Sequence, residues 1–161
     1  MRIYVGTTLV ALRELLDHGS LAVGSTAHAV TPTLRESFAE ADAEELEYAA
    51  LADAARDSLQ ALADVPEAPR RRVVVVADLP DSAGTPTAGL RSGVTVTGGV
   101  SLSDVAAVHV DDEAAESTIV AAVGALGAAL AGDDDAAFLV DEAGGWELMW
   151  FATQEIGDLL A

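Results

Sequence analysis

The sequence predicts a layered α/β domain in which a mixed β-sheet is flanked by helices. Three observations carry this. Residues 72–77 include four successive valines, a run too short for a helix of its own and without the alternation of a half-buried strand, so they read as a central strand covered on both faces. Residues 43–63 carry apolar side chains at helical spacing. Helical and strand-like stretches alternate along the whole chain rather than segregating.

The elements follow in order. Arg2 to Val5 is a short β-rich run. A helix begins after Thr8, its N-cap, places Leu9, Leu12, Leu15 and Leu16 on one side, and stops at Gly19. Ala27 to Val30 is a second short strand. Thr31 and Pro32 open a short helix, with threonine at the cap and proline at the first helical position. In the helix at 43–63, Asp42 and Glu45 have capping-box spacing, and Leu46, Tyr48, Leu51, Ala55, Leu59 and Leu62 form the predicted apolar stripe. Pro66 and Pro69 end that segment. The valine strand closes at Asp78. Residues 81–92, rich in Gly, Pro, Ser and Thr, read as a mobile loop within the domain.

Val94 to Thr97 alternates and reads as a strand. Residues 101–104 form a turn or a single helical turn, and Ala106 to Asp111 is another strand. Asp112 caps a helix running from about Glu113 to Ala131. Another helix starts after Asp133 or Asp134 and stops at Gly144 and Gly145. Trp146 to Phe151 is a final strand, and Thr153 caps a closing helical turn. One domain over residues 1–161 accommodates all of this, since 161 residues with 51% apolar side chains can bury a core.

Charge and composition exclude several functions. All eight basic residues are arginines, and after Arg91 thirteen carboxylates follow without one positive side chain. With a net charge of −19 the chain would repel phosphate backbones and anionic lipid, so nucleic acid and membrane surfaces are not expected partners. The acidity fits either a GC-rich codon bias or adaptation to high salt. Cysteine is absent, which removes disulfides, thiolate metal sites and a cysteine nucleophile. Lysine is absent too, which removes Schiff-base chemistry and a P-loop lysine. The N-terminal residues lack the pattern of a signal peptide, and the most apolar stretch, Ile119 to Ala131, falls short of the ~18 residues of a membrane span. A cytoplasmic protein is expected.

MRIYVGTTLVALRELL at the start, AVTPTLRE, EELEYAALADAARDSL, RRRVVVVADLPD, VAAVHVDD and ELMWFATQEIGDLL at the end together resemble an uncharacterised family of small actinobacterial proteins. The resemblance runs through nearly the whole chain. It implies an α/β domain and a cytoplasmic actinobacterial origin. It implies no activity, cofactor or catalytic residue.

Candidate sites lie where strands end, because ligands of α/β sheets gather beyond their carboxyl ends. Thr7 and Thr8, after Gly6, could hold an anion on helix amides; the structural alternative is a threonine cap after a glycine turn. Asp78 and Asp81 end one strand, and His109 and Asp111 end another, on one face of it. If those ends lie side by side, the four could ligate a divalent metal or relay protons. The alternative is turn formation by Asp81 and a hydrogen-bonded histidine in the sheet. Asp133, Asp134 and Asp135 lack calcium-loop spacing and suit a helix start. Arg70, Arg71 and Arg72 could clamp phosphate but fit better as an internal counterweight to carboxylates. His18 suits the end of the first helix, and His28 has no partner evident in the sequence. Alternation puts Trp146 and Trp150 on one face and Met149 and Phe151 on the other, one pair for the core and the other for a partner unless helices cover both faces.

Two functions follow. The first is an acidic interaction or regulatory module that binds another protein without catalysis and without a cofactor. The second is a metal-assisted hydrolase or small-ligand-binding protein working around Asp78 and His109, with Asp78 or Asp111 as base or metal ligand and His109 as acid or ligand.

Overall fold

The computed structural model describes residues 1–23 and 27–161. The chain forms β1 (Arg2–Thr7), α1 (Leu9–His18), β2 (Ser20–Leu21), β3 (Ala27–His28), α2 (Pro32–Ser37), α3 (Ala43–Asp64), β4 (Val73–Asp78) and β5 (Gly84–Pro86). It continues with β6 (Gly93–Val96), β7 (Val100–Ser101), β8 (Val105–Val110), α4 (Glu116–Leu130), α5 (Asp134–Ala143), β9 (Met149–Ala152) and α6 (Ile156–Leu159). Seven strands make one sheet in the order β5-β6-β3-β1-β4-β8-β9, and β2 pairs with β7 in a separate ribbon. The layered α/β architecture is the one predicted. The pairing is more uniform than the mixed sheet of the sequence analysis: among the described residues every pair is antiparallel.

β4 is central, and its valines 73–76 are buried, Val74 and Val76 toward one face and Val73 and Val75 toward the other. Full burial of a valine is worth about 1.5–3 kcal/mol, so this strand anchors both layers. On one face Ile3, Val5, Val73 and Val75 pack with Leu9, Leu12 and Leu15 of α1 and Ile156 of α6. On the other Tyr4, Val74 and Val76 pack with Leu46, Ala50 and Ala54 of α3. The end of α3, with Leu59 and Leu62, meets Ile119 and Ala122 of α4 and Val140 of α5 in a third cluster.

α3 lies very close to the sheet. A Cβ at Gly6 would sit 2.1 Å from the Ala54 carbonyl oxygen, so only glycine admits the helix there. The buried Ser58 hydroxyl then donates to the Thr7 carbonyl at 2.6 Å and accepts from the Val73 amide at 3.0 Å, tying helix to β1 and β4. This contact corrects the predicted apolar stripe. The helix turns its small residues Ala50, Ala54 and Ser58 inward, leaving Tyr48 55% exposed and Leu51 half-buried.

The caps are as predicted. Thr8 accepts from the Ala11 amide and Gly19 adopts φ 79°, Thr31 accepts from Leu34, and Asp42 and Glu45 form both bonds of a capping box. Asp112 and Asp133 cap the following helical segments. Four details differ. Part of the 81–92 loop is β5, an edge strand on β6, where Pro86 is tolerated. The last strand starts at Met149, so Trp146 lies in the turn before it. The Thr153 hydroxyl bonds the Val105 carbonyl, while the Glu155 carboxylate caps the Ala152 amide. Finally, Glu113–Leu130 forms a helical segment of 18 residues with mean hydropathy 1.3, by length and composition long and apolar enough to cross a membrane, longer than the stretch read from the sequence. Ile119, Ala122 and Ala125 on it are buried within the domain.

Candidate functional site

The structure does not bring Asp78 and His109 together. β4 and β8 are antiparallel, so β8 enters beside Ala77, where β4 is about to end, and leaves beside Val73, where β4 begins. His109 faces Val74, four residues from Asp78, which is on the order of 13 Å along the strand. Reversal of chain direction between the two neighbours is the physical reason: their carboxyl ends point in opposite directions along the strands. Each carboxylate has its own partner. Asp78 forms a two-toothed pair with Arg2 at 2.9 and 3.0 Å, which lowers its pKa, and Asp81 is held by the N-terminal ammonium at 2.8 Å, which lowers it as well.

Asp111 is fully buried. It accepts from the Arg72 Nε, a terminal guanidinium nitrogen and the Arg72 amide, each at 2.8 Å. Arg72 also reaches the Trp146 carbonyl, Arg71 binds the Asp111 carbonyl, and Arg70 caps the end of α3 at the Leu62 carbonyl. Of the triplet, Arg72 alone offsets a carboxylate, while Arg70 and Arg71 are spent on backbone carbonyls. Thr7 and Thr8 are both buried, and the Thr8 hydroxyl is engaged in its cap bond. No group of three or more His, Asp or Glu side chains able to hold a metal occurs among the described residues.

A different site emerges from the sheet register. Gly6, Val74, His109 and Trp150 lie side by side on four successive strands, and Tyr4, Val76, Ala107 and Ala152 form the next row. All face α3. The helix closes over the inner members, Gly6 and Val74, and stops short of β8 and β9. His109 is left half-buried and Trp150 60% exposed, so no helix covers this part of the face. Phe151, pointing the other way, joins the opposite core.

The uncovered strip is a groove made of two adjoining cavities of about 240 and 260 Å³ that share Tyr48, Leu51 and His109. One continues to Arg72, Trp146, Glu147 and Leu148, and the other to Arg2, Tyr4, Glu44, Glu47 and Trp150. Burial lowers the His109 pKa, so the ring is neutral at pH 7, and no hydrogen bond to it occurs among the described residues. Tyr4 is only 5% exposed, and its hydroxyl also lacks a hydrogen-bond partner among the described residues. Burial, followed by the negative charge of Glu47, pushes its pKa up to about 12. Sequence reasoning flagged His109 and the tryptophans but not Tyr4, Glu44 or Glu47, which meet them only because α3 crosses β1.

A second polar cluster sits at the opposite side of α3. His28 Nδ1 lies 2.8 Å from Ser92 Oγ, and His28 Nε2 lies 2.6 Å from Asp57. Ser92 donates to Asp53 at 2.6 Å, and Arg91 holds Asp53 with two bonds while stacking over Phe38. Burial raises the Asp53 pKa, but the hydrogen bonds from Arg91 and Ser92 outweigh it and hold the carboxyl below its usual range. The serine, histidine and aspartate resemble a nucleophilic triad, yet the proton of Ser92 points to Asp53 and not to the histidine, and Ser92 is 1% exposed. The cluster is a clip between α3 and the strands β3 and β6.

The model of a family of unknown function, DUF6912, matches residues 1–160, so the chain belongs to that family. Comparison with curated proteins and with solved structures found no match.

Proposed function

We propose that this member of DUF6912 is an interaction module that receives an extended segment of another protein in the groove between α3 and β9. The observation that carries it is Trp150, exposed beside the half-buried His109 and opposite Tyr48 on a sheet face that the fold leaves bare. Aromatic side chains with large exposed area are the usual anchors of protein interfaces. β9 also ends the sheet, and among the described residues its outer edge pairs with no strand, so an incoming backbone can align beside it. The polar groups in the floor, Tyr4 and His109, fix orientation while the aromatic walls supply area.

Selection of random peptides on the immobilised protein, counter-selected on Trp150→Ala, tests this. Tyr48 and Trp150 are exposed, so Trp150→Ala and Tyr48→Ala keep the fold, which circular dichroism checks. Peptides should enrich on the wild type and lose binding to both variants. Enrichment that is indifferent to Trp150 would move the binding surface elsewhere.

A further inference from the structure

We infer that the groove takes a guanidinium group, the side chain of an arginine carried on the docking segment of a partner protein. This rests on the proposal that the groove docks such a segment, and it names the chemistry of recognition.

The charge balance of the groove points to a cation. Two arginines line it, and both are spent: Arg2 on Asp78 and Arg72 on Asp111. Glu44, Glu47 and Glu147 also line it, and among the described residues none has an ion pair. The negative charge of Glu47 reaches into the cavity, since it acts on both Tyr4 and Arg2. His109 is neutral and adds no repulsion.

Carboxylates alone would not define a site in so acidic a chain. Tyr4 is the independent observation: the residue is 5% exposed and lines the cavity, and its hydroxyl, still within reach of solvent, has no hydrogen-bond partner among the described residues. A hydroxyl at the cavity wall with no partner inside the fold is free to pair with a ligand. The phenol oxygen and the unprotonated nitrogen of His109 accept hydrogen bonds, as do the glutamates. The walls offer the π faces of Tyr48, Trp146 and Trp150. Acceptors around aromatic faces suit a planar cation with several N–H donors. Guanidinium has five such donors and stacks on aromatic rings, whereas an ammonium is a compact, strongly hydrated point charge. The two cavities together far exceed one guanidinium, leaving room for the aliphatic stem and the flanking chain.

The chain has two tryptophans, and both line the groove, so intrinsic fluorescence reads it directly. The probes are blocked glycine peptides carrying one arginine, one lysine or one citrulline, the last an uncharged near-isostere of arginine. Arginine should shift the emission at millimolar concentration, lysine should bind more weakly, and citrulline about tenfold or more weakly, a tenfold step being 1.4 kcal/mol. Tyr4→Phe, which removes only the hydroxyl, and Glu47→Gln should each weaken the arginine probe several-fold without lowering the melting temperature. Glu14→Gln, an equal loss of charge on α1 across the sheet, should leave binding unchanged. Citrulline binding as well as arginine, or indifference to both Tyr4→Phe and Glu47→Gln, overturns the guanidinium assignment. Peptides from the random selection that bind in a Trp150-dependent way without arginine would leave the docking groove standing and remove the cation. Failure of every probe and of the selection would remove both.

Discussion

His28 and His109 lie on the same face of one sheet, on either side of the strip that α3 covers, and they live in opposite surroundings. His28 is bonded through both ring nitrogens, to Ser92 and Asp57, inside a cluster that extends to Asp53 and Arg91. His109 has no hydrogen bond among the described residues and stands in a cavity beside Tyr4, whose hydroxyl is equally bare. The first region is internally paired: His28, Ser92 and Arg91 each find partners within the fold, although a surface hollow of about 440 Å³ opens beside them. The second is open: its polar groups have no partner inside the fold and stay available to another molecule. The difference separates a buried histidine paired on both ring nitrogens from a half-buried one with no partner inside the fold.

The largest effect comes from placing an unpaired charge where the fold keeps paired ones. Asp111 is tolerated at full burial because Arg72 surrounds it. Val75, on the adjacent strand, has no such partner, so Val75→Asp should abolish cooperative folding. A soluble Val75→Asp variant with a sigmoidal urea transition would take β4 out of the core.

Next in size is the contrast between the histidines themselves. His28→Ala leaves Asp57 without its partner and removes one of the two bonds of Ser92, and should cost about 1–3 kcal/mol. His109→Ala removes no hydrogen bond, only part of the packing of a half-buried ring, and should cost less, about 1 kcal/mol or under. Urea unfolding of the two variants at pH 7 measures both. Equal losses would erase the distinction between paired and open regions.

How much of this could be read in advance depends on distance along the chain. The caps at Thr8, Thr31 and Asp42 were legible because their partners lie within three residues. The valine strand was legible because its burial is written in its own residues. The strands β2, β5 and β7, two or three residues each, were not, because only their partners define them. His28 showed no partner in the sequence because Asp57 and Ser92 stand 29 and 64 residues away. Asp78 and His109 were paired on the assumption that their strands end together, which an antiparallel step forbids. Tyr48 was assigned to the core because helical spacing says which residues share a face, and not how far a glycine beneath will let the helix turn.

Acid sharpens the comparison further. In the paired region, Asp53 has a lowered pKa, so its contribution is present above the unfolded value near 4 and is lost as pH falls through the folded one. Ser92→Ala should therefore cost less stability at pH 3 than at pH 7. In the open region, His109 has a lowered pKa, so below about 6.5 the unfolded chain binds a proton that the folded chain refuses. Wild-type stability should fall from pH 7 to pH 5 more steeply than that of His109→Gln. Urea midpoints across this range check both, and parallel curves would refute the open environment of His109.

The smallest effect is that of salt. The clip contains an exposed pair, Arg91 with Asp53, which salt weakens, while the unpaired carboxylates of the groove and of the chain beyond Arg91 repel one another, which salt relieves over a Debye length of ~8 Å. With so many more unpaired carboxylates than pairs, the melting temperature should rise between low and physiological sodium chloride. A flat or falling profile would mean that the paired region dominates the electrostatics.

The outer edge of β9 has a consequence for solubility. A bare strand reading Met-Trp-Phe-Ala is a template on which a second copy could build a continuous sheet. Its brevity and the flanking Glu147 and Glu155 act as gatekeepers, and the net charge of −19 keeps copies apart at neutral pH. That guard depends on ionised carboxylates and vanishes near the isoelectric point of about 4.1. The acidity that shapes the groove thus also works as a colloidal device, holding in solution an edge that a less charged protein would have to bury.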